Sequence, residues 1–304
     1  MFLLKKLISI AITAVMLTLS ISACPEKHTV KDSDEVKLNF TVLSDCHIEG
    51  LDVEFTFIDT YKVFTKILKD AKSVENGNDA IVFLGDNTMN GQDIESMLFY
   101  GAVNVLKPGA EILVAAGNHD LSNGEGTYAE FSERFMNYNN TFFGDGLTKP
   151  YFYKVINGCY FIVLSSEEAT VNTMYLSDEQ LIWLKGLLNE ADENNAPVFV
   201  MAHHPANYLE AREGDELTDI LNDYYNLLYF CGHTHAEFTP DSVYELDGVS
   251  CINLPRCTEW KTEGYDTGIG AQVELYDDEI LVRIRDFHDS VWLEEYEYSY
   301  PIEK

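Results

Sequence analysis

The chain has 304 residues, 46% hydrophobic and 23% charged, the composition of a folded globular protein with a substantial core rather than a small disulfide scaffold. Its 51 acidic and 20 basic side chains give a net charge of −31, and −33 once residues 1–23, which carry Lys5 and Lys6 but no acid, are set aside. A surface of that sign repels polyanions and is poor in the Lys and Arg that neutralise phosphates, which disfavours a nucleic-acid partner; it also serves solubility without further meaning.

Met1 to Ala23 combines Lys5 and Lys6, an apolar stretch from Leu7 to Ile21, and the small residues Ser22-Ala23, the pattern of a secretory signal peptide. The ending Ile21-Ser22-Ala23-Cys24 resembles a bacterial lipoprotein signal, which would leave Cys24 as a lipid-modified first residue that anchors the chain to a membrane. The apolar run is shorter than the roughly 20 residues of a membrane span. The folded part is therefore expected outside the cytoplasm. Residues 24–36 are polar and without periodicity, a tether, and 37–304 read as one domain. Five cysteines follow Cys24, an odd number, so at least one is unpaired. Cys251 and Cys257 are near enough in sequence to pair in an oxidising compartment, and the sequence does not decide whether they do.

Lys37 to Ser44 has the β-branched, apolar content of a strand and ends in Asp45-Cys46-His47, where residues two apart share a side if the backbone stays extended. Phe55 to Lys72 is apolar every third or fourth residue and predicts a helix. Ala80 to Leu84 is a second buried strand, ending in Gly85-Asp86-Asn87, and Asp93 to Val105 a second helix. Ile112 to Ala116 is a third strand, followed by Gly117-Asn118-His119-Asp120. This alternation predicts βαβ units.

A helix is expected over Gly126 to Tyr138, then a hairpin of Tyr151–Ile156 and Cys159–Leu164 turning at Asn157-Gly158, so the sheet is mixed. Ser177 with Gln180 is a capping box opening a helix that buries Leu181, Trp183 or Leu184, Leu187 and Leu188. Pro197 to Ala202 is a strand ending in His203-His204-Pro205. Leu227 to Cys231 is another, ending in Gly232-His233-Thr234-His235. Short strands follow at Val249–Leu254, Ile269–Tyr276 and Glu279–Arg285.

Five of the eight histidines (His47, His119, His203, His233, His235) thus fall just after buried strands, beside Asp45, Asp86 and Asn118. Carboxylate, imidazole and amide without a facing thiol suit Mn, Fe, Zn or similar ions rather than a structural thiolate zinc site. So many candidate ligands exceed one tetrahedral ion; two ions about 3.5–4 Å apart sharing a carboxylate would accommodate seven of them. Two such cations lower the pKa of a shared water, supply hydroxide and neutralise phosphoryl oxygens, so phosphate ester hydrolysis is the natural reaction.

In order, Asp45-x-His47, Gly85-Asp86, Gly117-Asn118-His119-Asp120, His203-x-Pro205 and Gly232-His233-x-His235 resemble the signature of calcineurin-like metallophosphoesterases, over roughly residues 37–285. The resemblance implies an α/β fold, a four-layer α/β/β/α sandwich of two mixed sheets, with two divalent or mixed-valence transition-metal ions at the strand ends. By matching block, Asp45, His47 and His235 would hold one ion, Asn118, His203 and His233 the other, and Asp86 would bridge them. His119 would donate to the phosphoryl oxygens or leaving group, with Asp120 orienting it. The implied substrate is a small phosphomonoester or phosphodiester. Met89 stands where the similar purple acid phosphatases carry a tyrosine ligand, which argues against an iron–tyrosinate site. His204 is expected to face away from its neighbour, and Arg256 either meets substrate phosphate or forms a surface salt bridge. A binding protein that kept the fold without turnover, and a nuclease of the same superfamily, which the charge disfavours, are the competing readings.

Overall fold

The computed structural model describes residues 36–50, 56–75, 77–107, 109–121, 125–209, 216–258 and 268–302. The expected signal peptide and nearly all of the expected tether lie outside the described residues. Among the described residues, twelve strands form two six-stranded mixed sheets. The first has the order β12-β11-β10-β1-β2-β3, with β1 Leu38–Leu43, β2 Ala80–Phe83 and β3 Glu111–Val114 parallel, and β10 Ile269–Leu275, β11 Glu279–Asp286 and β12 Val291–Pro301 antiparallel. The second has the order β4-β5-β6-β7-β9-β8, with β4 Phe152–Ile156, β5 Cys159–Val163, β6 Val198–Met201, β7 Leu227–Cys231, β8 Val243–Leu246 and β9 Val249–Asn253.

Side-chain alternation explains why these strands stack in four layers. Leu38, Phe40 and Val42 of β1 meet Phe161, Phe199 and Phe230 of the second sheet in a core between the sheets, with ring centroids of Phe40 and Phe199 4.8 Å apart. Ile81 and Phe83 of β2 point the other way, onto Phe64, Ile67 and Leu68 of helix α1 (Thr56–Lys72) and Phe99 of α2 (Asp93–Leu106). Phe135 of α4 (Tyr128–Phe142) joins that layer, and the short α3 (Asn118–Leu121) follows β3. Beyond the second sheet, Ile162, Val200 and Tyr229 pack on Leu181, Leu184 and Leu188 of α5 (Asp178–Glu193) and on Leu217 and Leu221 of α6 (Glu216–Asn222). Parallel strands buried on both faces read as continuous apolar runs, as β2, β6 and β7 do. The fold is therefore the expected α/β four-layer sandwich.

Differences from the sequence reading have local causes. Ser177 caps α5 by accepting from Gln180 N at 3.2 Å, but Gln180 does not turn back to complete the box. Its fully buried amide instead satisfies the Ser165 backbone at 3.1 and 2.9 Å and donates to Glu167, fixing the end of β5. Leu184 rather than Trp183 is the buried member of its pair. Strand β12 was not expected, although Tyr296, Tyr298 and Tyr300 alternate with Glu295, Glu297 and Ser299 and pack against the inter-sheet core. The hairpin turn at Asn157-Gly158 is as expected: both residues have positive φ, 49° and 83°, as a type I′ turn requires.

Candidate metal centre

The parallel strands β1, β2, β3, β6 and β7 all end at one edge of the sandwich, and the polar loops beyond them converge there, as ligand-binding loops do at the carboxyl ends of parallel strands. The convergence does not come from extended backbone. Asp45, His47, Asp86, His233 and His235 have φ of 53°, 41°, 48°, 70° and 51°, in the left-handed region that non-glycine residues seldom occupy. Kinks, not period-2 alternation, bring Asp45 and His47 into one donor group and carry His233 and His235 to the same edge, one in each donor group. Chain approach is close enough that two positions must be glycine. A Cβ on Gly117 would collide with the Asp86 backbone and carboxylate, and one on Gly232 with Ser44 and Asp45.

Donor atoms fall into two groups that share one residue: Asp45, His47, Asp86 and His235, and Asp86, His203 and His233. In the first, His235 Nε2 lies 2.9 Å from both His47 Nε2 and Asp45 Oδ1, while His47 Nε2 is 3.6 Å from Asp45 Oδ1 and 3.7 Å from Asp86 Oδ2. In the second, His203 Nε2 is 3.2 Å from both Asp86 Oδ2 and His233 Nδ1, and Asn118 Oδ1 is 3.0 Å from His233 Nδ1. With metal–ligand bonds of about 2.1 Å, atoms on one ion would be separated by roughly 3.0–3.4 Å, which the 2.9–3.2 Å spacings match and the two His47 spacings of 3.6 and 3.7 Å slightly exceed. Imidazole nitrogens facing each other at 2.9 and 3.2 Å gain most from a cation between them. The residues fit two metal ions, which the two donor groups would hold, and Asp86 Oδ2 is the atom that faces His47 of one group and His203 of the other.

Surrounding bonds fix how each donor is presented. His203 Nδ1 donates to the Leu84 carbonyl at 3.2 Å, leaving Nε2 for the site. Asp45 Oδ2 accepts from Ser44 Oγ and, at 3.1 Å, from His233 N, which leaves Oδ1 facing the histidines. Asp86 Oδ1 accepts from His119 N at 2.8 Å, leaving Oδ2 to both donor groups. Burial alone would raise the Asp86 carboxyl, but His203 outweighs it and the group falls to about 2. Conversely burial would lower His203, yet Asp86 and Asp45 push it up to about 9, so without a cation the site holds a proton there. A bound cation would take that proton's place.

Asp120, expected to orient His119, turns its carboxylate to other partners. His119 Nδ1 donates 2.6 Å to the Met89 carbonyl, which orients its ring and leaves Nε2 3.9 Å from Asp86 Oδ2. Asp120 instead binds the loop after β2 from below. Its oxygens accept from Asn87 N and Nδ2, Thr88 N and Oγ1, and Gly117 N at 2.7–3.1 Å. Asp120 therefore shapes the segment that carries Asp86 and Met89 rather than steering His119. Met89 contributes a carbonyl, a role its side-chain identity does not announce.

Of the remaining histidines, His204 turns its Nε2 to the Val171 carbonyl at 3.3 Å and lies against His233 with its ring tilted by 40° and the centroids 4.3 Å apart, which braces a donor without joining the set. Burial and the neighbouring His203 and His233 hold it down at about 3, hence neutral. Tyr208 also stands edge-on to His233 at 5.8 Å; no sequence signal singled it out. His288 pairs with Asp289 at 2.7 Å away from the cluster, and His28 lies outside the described residues. Arg256 is close enough that its charge lowers the proton affinity of His47, after the larger effect of burial.

Comparison with known proteins agrees with this geometry. The family model described as calcineurin-like phosphoesterase matches residues 38–237. A probable glycerophosphodiester phosphodiesterase, GpdQ, from Arcobacter nitrofigilis is 27% identical over 211 residues, 65% of this chain and 71% of that protein. Among solved structures, a dimetal phosphatase from Danio rerio superposes with a TM-score of 0.62 at 14% identity, covering 88% of this chain and all of the other. A purple acid phosphatase, PPD1, from yellow lupin gives 0.63 at 13% identity over 86% of this chain and 53% of its own. At these identities the two structures bear on the fold alone.

Proposed function

The chain belongs to the calcineurin-like phosphoesterase family and is a metal-dependent phosphoric ester hydrolase, and we propose that it cleaves small phosphodiesters outside the cytoplasm at a dinuclear centre held by Asp45, His47, Asp86, Asn118, His203, His233 and His235. The observation that carries the dinuclear reading is the single oxygen, Asp86 Oδ2, that faces His47 from one donor group and His203 from the other. The diester preference draws on the relative described as a glycerophosphodiester phosphodiesterase. When bound, two transition-metal ions supply Lewis acidity, lowering the pKa of water and neutralising phosphoryl oxygens.

The chain's own residues do the rest. Asp45 and Asp86 place anionic oxygens, and the four histidines neutral nitrogens, so the donor set is rich in charge-neutral ligands and leaves the loaded site net positive toward an anionic ester. His119, whose side chain is 24% exposed, has Nδ1–H committed to Met89 and Nε2 at the edge of the site, positioned to face the leaving oxygen or a phosphoryl oxygen. Competition from water at the donors is limited by the burial of Asp45, His47, Asp86 and His203.

The test is hydrolysis of bis(4-nitrophenyl) phosphate and 4-nitrophenyl phosphate by metal-stripped protein reloaded with Mn(II), Zn(II) or Fe(II). The diester is turned over faster, chelation abolishes activity, and His119→Ala lowers kcat by about 10²–10³-fold while still binding two ions, because the bond to Asp86 comes from its backbone. Loaded protein that hydrolyses neither ester would instead favour a binding protein. The location rests on the lipoprotein-type ending at Cys24. Cys24→Ser is expected to move the protein from the membrane fraction to the soluble one, and an unchanged distribution would refute a lipid anchor.

A further inference from the structure

Behind the metal-facing side of the first loop lies a second chemistry. Cys46, between the donors Asp45 and His47, turns away from them, and its Sγ lies 3.5 Å from Sγ of Cys257, 211 positions along the chain. Both residues are 0% exposed. Their segments are already laced together: Cys257 N donates to the Ser44 carbonyl at 3.1 Å, Thr258 Oγ1 donates to the Cys46 carbonyl, and Gly268 N donates to the Cys257 carbonyl at 2.9 Å. The other cysteines are placed differently. Cys251, the partner the sequence offered for Cys257, belongs to the core between the second sheet and α5–α6, whereas Cys257 lies in the core between the first sheet and α1–α2. Cys251 and Cys231 direct their thiols to the carbonyls of Val249 and Ile252, and Cys159 lies between the sheets.

We propose that Cys46 and Cys257 form a disulfide as the chain folds, by exchange with a small-molecule disulfide or a thiol–disulfide oxidoreductase, and that the bond clamps the Arg256–Thr258 segment to the loop presenting Asp45 and His47. One cysteine thiolate attacks a sulfur of the external disulfide and expels one thiol, leaving a mixed disulfide. The second thiolate then attacks the protein sulfur of that bond and expels the other thiol. The two cysteines lose two electrons and two protons, and the external disulfide becomes two thiols. From 3.5 Å the sulfurs need to close by about 1.5 Å to reach a disulfide bond length. Because neither sulfur meets solvent, exchange occurs during folding or through opening of the 256–258 segment. A closed loop of this length constrains the unfolded chain strongly. Arg256 is thereby held beside His47. The inference rests on thiol placement alone and stands whether or not the site hydrolyses phosphodiesters.

The purified full chain, unfolded in reductant, is refolded either in a glutathione redox buffer or in excess reductant, then alkylated, digested and analysed by mass spectrometry. Oxidative refolding should give a peptide joining Cys46 to Cys257, two hydrogens lighter than the separate pair, with Cys159, Cys231 and Cys251 alkylated, and a thermal midpoint higher by on the order of 5–10 °C than that of the reduced form. Cys251→Ala should keep that redox-dependent shift and Cys257→Ala should remove it. Folded, oxidised protein with Cys46 and Cys257 both alkylated, or with Cys257 joined to Cys251, would overturn the proposal. The peptide map of the unsubstituted chain decides the matter even if a variant does not fold.

Discussion

Asp86→Ala is expected to lower kcat/KM by about 10⁴-fold or more, a loss of roughly 5.5 kcal/mol of transition-state stabilisation, with metal content falling from two ions per chain to one or none. Among the described residues, no other side chain stands in both donor groups. Its second oxygen also accepts from His119 N, so the same truncation removes a link between the loops after β2 and β3. Alanine must in addition take the left-handed backbone of this position, φ 48°, at a cost of about 1–2 kcal/mol. Asp86→Asn keeps the shape and part of the bonding while removing the charge that His203 and His47 face, and should fall between the two. Steady-state kinetics on the reloaded variants, paired with elemental analysis, check this directly. A variant that keeps two ions and ordinary turnover would sink the dinuclear mechanism.

Asp120→Ala should act on stability first. Five donors converge on this carboxylate, two from Asn87, two from Thr88 and one from Gly117, and the side chain is only 7% exposed. Burial and the nearby Asp86 charge raise its pKa, opposed by those same donors, so the native structure holds the carboxylate at some expense. Its removal leaves buried N–H groups facing a void, each costing about 1–3 kcal/mol when unsatisfied. Relaxation and water entry reduce the sum to roughly 3–5 kcal/mol, or on the order of 10 °C in the thermal midpoint of the metal-free protein. Asp120→Asn retains one acceptor oxygen but sets its amide against backbone donors, and should lose about half as much. Thermal unfolding of metal-free and loaded samples separates this effect from the Asp86 variant, whose loss is mainly in metal binding and turnover. An Asp120→Ala protein as stable as the parent but with a displaced pH–rate profile would restore the orienting role for His119.

Elements with strong periodicity were legible in the sequence. Phe64, Ile67, Leu68 and Ala71 lie on one face of α1 and are buried, and the runs Ala80–Phe83 and Leu227–Cys231 are strands. The residues that gather at the strand ends were legible because imidazoles after buried strands are chemically conspicuous. What stayed hidden was carried by the backbone. Spacing suggested that Asp45 and His47 share a side through extension; left-handed kinks do it instead, and nothing in Asp-Cys-His declares them. The Met89 carbonyl was equally invisible, since every residue has one, and its choice as the His119 partner depends on a turn that Asp120 holds from 31 positions away. Strand β12 was missed for a different reason: its alternating tyrosines and glutamates follow a two-residue period but are only half buried, so apolar run length did not reveal it.

One feature of the centre reaches past its chemistry. Asp45, His47, Asp86 and Asn118 come from loops of the first sheet, while His203, His233 and His235 come from the second, so each donor group draws on both. A slide of one sheet over the other by a single residue, about 3.4 Å, exceeds a metal–ligand bond and would break both groups at once. Bound ions would thus act as a vernier for the sandwich, fastening its two halves at one edge and making the capacity to bind metal a measure of whether the two sheets are correctly aligned.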